Sequence, residues 1–278
     1  MSVMTKAGAH STVAGGSIGA DLCSRLEHGE LRAADGSSTP VAWQLPEETP
    51  IAVQINSEPY AVMMATPADI RDFATGLLLS EGLVQQAGDI QGVLVMPVEN
   101  GITADVAVAD HAIDKSRLVR RAIEGRSGCG LCGVEDIAAA IRPLTVLDRT
   151  WAPQTVAILK AAKALHQHQP MNAHNRTVHG AAWVSQTGEI LTVREDVGRH
   201  SALDKLIGAL ARSGTDMAAG FVMMTSRCSF ELVQKAVTAG IGALVTVSAP
   251  TALAHDLAKK SNLFLAALGA GGVVVFNP

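Results

Sequence analysis

Aromatic residues make up only 3% of this 278-residue chain, with a single tyrosine. That scarcity argues against a single-strand nucleic-acid binder, whose bases need stacking platforms. Positive charge is not in excess either: the net charge is −4 and the isoelectric point lies near 6.1, so bulk attraction to nucleic acid is not expected. No run approaches the ~18 uninterrupted apolar residues of a membrane span. The N-terminus shows no basic flank leading into an apolar core, so no secretory signal is expected. Cysteines number four, too few and too scattered for a disulfide framework. The expected compartment is a reducing cytosol, where a Cys-x-x-Cys pair means chemistry or metal more often than a structural staple.

Two of the four cysteines form such a pair, in Gly128-Cys-Gly-Leu-Cys-Gly133, preceded by Arg121, Glu124 and Arg126. Thiols at this spacing can chelate a metal, close a disulfide or hold a sulfur atom between them. The glycines permit a tight exposed loop and let a bulky partner approach the sulfurs. Val134 to Ile141 reads as a short helix starting just after Cys132, and a helix N-terminus beside cations favours thiolate. A structural zinc ribbon would need a second pair, and Cys23 and Cys228 are isolated from each other.

At 48% hydrophobic and 17% charged residues the chain can bury a sizeable core. Residues 1–45, rich in Gly, Ser, Ala and Thr without sustained period, are expected to be a flexible extension in which Cys23 and His28 are incidental. Residues 46–150 read as an α+β subdomain that ends in the Cys-x-x-Cys loop. It opens with a hairpin, Ile51–Ile55 and Tyr60–Met64 around Asn56-Ser-Glu-Pro59. A helix follows, capped by Thr66 with Pro67 at its first position and running to about Ser80. A second hairpin turns at Asn100-Gly101. Residues 151–278 read as an α/β domain. Thr155–His168 is helical, with Val156, Leu159, Ala162 and Leu165 on one stripe and Pro170 stopping it. Strands at 181–185 and 190–193 follow, then alternating strands and helices from Gly220 onward. This rhythm predicts a largely parallel sheet between helices, with ligands at the carboxyl ends of its strands, beside Thr225–Cys228 and Ser248–Thr251.

Two polar constellations fall at helix entrances. Arg194-Glu-Asp-Val-Gly-Arg-His200 leaves a strand and enters a helix in which Ser201 and Asp204 match a capping box. It is either a solvated loop or a place to bind anions and position an acid or base. Arg227 and Glu231, ahead of Lys235, form the second group, and surface ion pairing would suffice to explain it. His174 and His179 fit no standard metal template. On this placement Asp196, Arg199, His200 and Arg227 are the candidate pocket residues.

Taken together, Ser127–Gly133, Glu195–His200 with Ala202-Leu-Asp-Lys205, Ser226–Ala236 and Ser248–Thr251 resemble, in that order, the motifs of the formate dehydrogenase accessory sulfurtransferase family, FdhD. Thr66-Pro67, Glu81-Gly82 and Thr177-x-His179-x-Ala181 also fit, and the match runs from about residue 48 to the C-terminus. The resemblance implies a sulfur relay: sulfur accepted from a cysteine desulfurase and passed to the molybdenum or tungsten bis(molybdopterin guanine dinucleotide) cofactor of formate dehydrogenase, with no permanently bound metal. By position Cys129 would bear the persulfide and Cys132 assist it. The resemblance further implies a homodimeric, three-layer α/β/α cytidine deaminase-like fold with a smaller α+β subdomain. It places the cofactor's guanine nucleotide at Leu268, Gly269, Ala270, Gly271 and Gly272, where this chain carries only small residues and the family usually has basic or aromatic ones. The zinc deaminase signature, His-x-Glu followed by Pro-Cys-x-x-Cys, is not met. A thiol–disulfide oxidoreductase and a non-enzymatic chaperone for the cofactor are the rival readings.

Overall fold

The computed structural model describes residues 23–118 and 142–278. The pair Cys129 and Cys132, and the helix expected over 134–141, lie outside the described residues.

The described chain forms three sheets. β1 (Ser24–Arg32) and β2 (Ser38–Pro46) make an antiparallel two-stranded ladder. The expectation of a flexible extension up to residue 45 is corrected for this paired stretch. Nine paired positions satisfy the backbone although nearly every side chain stays exposed, which is why burial patterning gave no signal. At its base the Glu47 N–H donates to the Cys23 carbonyl at 2.7 Å, and Cys23 itself is buried.

β3 (Thr49–Ile55), β4 (Glu58–Ala65), β5 (Ile90–Val98) and β6 (Gly101–Val108) form a sheet in the order β4-β3-β6-β5. Both expected hairpins are present, with Asn56, Ser57 and Asn100 taking the positive φ values of their turns. Ile51, Val53, Ala104 and Val106 point from one face onto Phe73, Ala74, Leu77 and Leu78 of α1 (Ile70–Ser80). α1 starts later than Thr66-Pro67 suggested, because Thr66 is committed elsewhere: its N–H donates to Asp196 and its hydroxyl accepts from the Val197 N–H.

The larger sheet has the order β12-β11-β10-β9-β7-β8, built from β7 (His179–Ser185), β8 (Ile190–Asp196), β9 (Gly220–Met224), β10 (Ala243–Thr246), β11 (Phe264–Gly269) and β12 (Gly272–Asn277). Only β9, β10 and β11 run parallel, and β7, β8 and β12 join antiparallel. The sheet is therefore mixed rather than largely parallel. The reason is local: short turns at Gly188 and Ala270-Gly271 leave no room for a crossover helix. α4 (Arg199–Arg212), α5 (Phe230–Thr238) and α6 (Ala252–Lys260) bury Leu203, Leu206, Leu232, Val233 and Ala258 against Trp183, Val222, Leu244 and Leu265. On the opposite face α2 (Thr155–Ala164) places Ile158, Ala161 and the following Leu165 against Val184, Phe221 and Val245. Of the expected stripe Leu165 is buried and Ala162 packs beside it, but Val156 and Leu159 are exposed, and Ile158 and Ala161 take their place. Pro170 does not merely stop α2 but opens the short α3 (Pro170–Asn175). Among the described residues no helix is long and apolar enough to cross a membrane.

The two sheets meet through α1 and α4. A Cβ on Gly76 would overlap the Asp204 carbonyl, and one on Gly208 the Asp72 carbonyl, so the backbones touch at this crossing. Asp72 of α1 also takes Arg194 at 2.7 Å and Arg212. Gly208→Ala tests the crossing. Helix propensity alone would favour alanine by ~1 kcal/mol, whereas overpacking costs typically ~1–3 kcal/mol. The expected result is a lower urea midpoint; a midpoint raised by alanine would show that the helices are not in backbone contact.

Candidate functional site

The Asp196–His200 turn, the loops Thr225–Cys228 and Ser248–Thr251, and the Leu268–Gly272 turn lie along one edge of the larger sheet. β9, β10 and β11 end there, β8 ends there, and antiparallel β7 begins there with His179 opposite Asp196. The loops Thr225–Cys228 and Ser248–Thr251 lie side by side, tied by the Thr251 N–H to the Cys228 carbonyl at 3.0 Å.

Asp196 ends β8 with its carboxylate turned inward. One oxygen accepts the Gly198 N–H at 2.7 Å, which shapes the turn into α4; the other accepts the Thr66 N–H at 3.0 Å and meets Lys205 Nζ at 2.6 Å. Lys205 Nζ donates in addition to the Thr66 carbonyl at 2.9 Å. Both charged groups are fully buried, so Asp196 fixes the loop from inside the protein. Glu195 faces the other way and accepts the N–H groups of Met171 and Asn172 in the first turn of α3, at 2.8 and 2.9 Å. Burial pushes its carboxyl up against the pull of those bonds.

Arg199 and His200 open α4. Arg199 Nε is buried and has no hydrogen-bond partner among the described residues. Nearby, burial together with the Arg199 and His200 charges pushes the His179 imidazole below its ordinary value. His200 is 4% exposed, with Nε2 3.4 Å from Ser229 Oγ and 3.6 Å from Glu231 Oε2. Burial alone would raise the Glu231 carboxyl, but hydrogen bonds from His200 and Ser229 overcome it and hold the group at about 2. One helical turn further on, Lys235 reaches Asp204 at 2.9 Å, Ser80 Oγ at 3.0 Å and Glu81 Oε1 at 3.1 Å. α4 and α5 thus carry two facing rungs, His200 with Glu231 and Asp204 with Lys235. Surface pairing, the simple explanation of the Arg227 and Glu231 group, is corrected for Glu231, which is buried against His200. So is the capping role of Ser201 and Asp204: the cap residue is Gly198, without a side-chain bond. The paired i, i+4 spacings were visible in the sequence, but only a known helix contact shows that they face one another.

Arg227 is exposed on the loop after β9. Leu268 to Gly272 forms the β11–β12 turn, with Gly269 opposite Gly272. It shares the edge with Arg227 but stands two strands beyond β9, roughly 10 Å away. The structure brings Arg199 and His200 together with Asp196 behind them, and it keeps the glycine turn apart.

The segment holding Cys129 and Cys132 is bounded by described residues on both sides. Before it, Arg117 Nη1 donates to the Glu81 carbonyl at 3.3 Å; after it, Arg142 Nη1 donates to the same oxygen at 2.7 Å and Nη2 meets Glu81 Oε2 at 2.8 Å. Of the other thiols, Cys228 is pushed up to about 12 by burial, and burial also raises Cys23. Neither is positioned for thiolate chemistry.

The FdhD/NarQ family model matches residues 46–275. A protein of Bordetella petrii called sulfur carrier protein FdhD is 45% identical over 220 residues, covering 79% of each chain. Another of the same name, from Cupriavidus necator, is 41% identical over 254 residues, 91% of this chain and 86% of the other. Among solved structures, a Desulfotalea psychrophila chain described as a formate dehydrogenase accessory protein superposes with a TM-score of 0.73 over 92% of this chain and 97% of its own, at 22% identity. That likeness shows the fold.

The depressed Glu231 carboxyl has a sign that can be checked. Its folded value of about 2 lies below the ordinary 4.5, so its stabilisation is complete above pH 4.5 and is lost as the pH falls toward 2. Urea midpoints measured at pH 6 and pH 3 are expected to differ less in Glu231→Gln than in the parent. An unchanged difference would show that the His200–Glu231 rung does not contribute to the acid limb.

Proposed function

The chain belongs to the FdhD/NarQ family, and from that membership we propose that it is a sulfur carrier working through a persulfide on Cys129. The observation that carries the reading is the Cys-x-x-Cys of Ser127–Gly133 in a chain whose remaining two thiols are buried. The Cys129 thiolate attacks the terminal sulfur of a persulfide on a cysteine desulfurase; the donor sulfur–sulfur bond breaks, the desulfurase leaves as thiolate, and the new bond holds one sulfur on Cys129. Delivery follows when the Cys132 thiolate attacks Cys129 Sγ. That expels hydrosulfide toward the acceptor and leaves a Cys129–Cys132 disulfide, which a cellular dithiol reductant reopens. The acceptor substrate is the molybdenum or tungsten bis(molybdopterin guanine dinucleotide) cofactor destined for the catalytic subunit of formate dehydrogenase.

The carboxyl edge supports an anionic substrate. Arg199 offers a buried N–H without a partner among the described residues, Arg227 is an exposed cation, and the turn from Leu268 to Gly272 presents main-chain N–H groups with little side-chain bulk, a favourable setting for phosphate. His200, held between Ser229 and Glu231, orders the first turn of α4 beside Arg199. The reading is completed by a homodimer in the cytoplasm and by the cytidine deaminase-like arrangement of the larger domain, whose helices cover both sheet faces.

Peptide mass analysis after incubation with a cysteine desulfurase and cysteine tests the carrier. One extra reducible sulfur is expected on the Cys129 peptide, absent in Cys129→Ala. A Cys129→Ala protein that still supports formate dehydrogenase maturation in cells would favour the chaperone instead. A protein that only cycles a disulfide with a redox partner, never retaining sulfur, would favour the oxidoreductase.

A further inference from the structure

We infer that Glu81 is a positioning residue for the sulfur-carrying segment: with Arg117 and Arg142 it forms a clamp that fixes both ends of residues 118–141 to the joint between the two sheets. The inference rests on the carrier reading for its consequence, but its geometry is independent of it.

The argument begins at the C-terminus of α1, where helix carbonyls lack intrahelical donors. Glu81 is the residue after α1, and its carbonyl accepts two guanidinium N–H bonds from arginines that flank the Cys-x-x-Cys motif on either side. Arg142 makes a second, ionic contact with the Glu81 carboxylate, and its own N–H donates to Gln234 Oε1 at 2.8 Å. Gly82 makes the approach of Arg117 possible. At φ 69° it turns the chain away from the helix, and a Cβ there would collide with Arg117 Nη1. The remaining carboxylate oxygen of Glu81 meets Lys235, which is held by Asp204. One residue thus joins the two ends of the cysteine segment to α5 through Lys235, one turn beyond Glu231 and the His200 rung.

A clamp of this kind brings Arg117 and Arg142, the described residues on either side of the motif, to one carbonyl oxygen and so fixes their separation. A group that must meet first a protein donor and then a bulky anionic acceptor gains from that fixed separation, because small displacements of a reacting atom cost rate steeply. Simple helix capping would need neither two arginines separated by the motif nor a carboxylate shared between Arg142 and a buried lysine.

The test compares the full-length protein with Arg117→Met, Arg142→Met, the double variant and Arg142→Lys. Arg142 and Arg117 have partly exposed side chains, 22% and 35%, and their methionine variants keep apolar stems, so a cooperative urea transition is expected throughout. Glu81→Gln, which keeps the carbonyl but drops the charge, is the second route to the same interaction. Two rates are read: alkylation of Cys129 by iodoacetamide without any desulfurase, and desulfurase-dependent sulfur loading. In the double variant alkylation is expected to change several-fold and sulfur loading to fall on the order of tenfold, with partial recovery of loading in Arg142→Lys relative to Arg142→Met. Alkylation and loading both within twofold of the parent in the double variant would overturn the clamp. If the parent never loads sulfur, the carrier reading fails, while the alkylation series still decides the clamp.

Discussion

Two buried ammonium groups hold the molecule in one arrangement. Lys205 and Lys235 both rise from the larger domain, and each completes its coordination only with atoms of the smaller one: the Thr66 carbonyl for Lys205, Ser80 and Glu81 for Lys235. Removing one partner of such a buried pair typically costs ~3–5 kcal/mol, because the other charge is stranded. The contact of Gly76 with Gly208 sets the distance at which the lysines reach across.

The same groups determine the site's shape. Asp196 answers Lys205 on one side and, through its other oxygen, forms the turn that starts α4 with Arg199 and His200. Asp204 answers Lys235 from the next turn of α4, which holds α5 in register so that Glu231 stands against His200. A side chain at the rim is therefore placed by charges several ångströms deeper, and the rim residues are left with atoms to spare. Arg199 shows this: its Nε is buried yet finds no hydrogen-bond partner among the described residues.

Much of the fold was legible because period and punctuation agree in the second half. Strand and helix boundaries from β9 to β12 follow the alternation of apolar runs with Gly and Pro almost residue by residue. What failed did so where a side chain serves a distant partner. Thr66 and Asp204 look like helix caps by local spacing, but one binds Val197 and Asp196 and the other Lys235. β1 and β2 leave little trace in the sequence for the opposite reason: their order comes from main-chain pairing, with no buried stripe to read. Strand direction in the larger sheet departs from the sequence pattern because alternation with helices implies crossovers, and two tight turns at the antiparallel strands break that rule. For the site, the Asp196–His200 turn and the Arg227 loop stood out by composition alone, while Glu81 was no more than half of a dipeptide. Its role depends on which arginines come to it through space.

Burial also takes Cys23 and Cys228 out of thiol chemistry. A thiol pushed up to about 12, as at Cys228, is almost wholly protonated at neutral pH, and sulfur exchange proceeds through the thiolate. Cys23 lies under the hairpin base, raised first by desolvation even though Lys205 pulls it down. Sulfur reaching either position would need local opening of a core that the lysine pairs keep closed. The fold thus restricts exchange by withholding two thiols, and the glycine-flanked pair at 129 and 132 is left to carry whatever sulfur chemistry the chain performs.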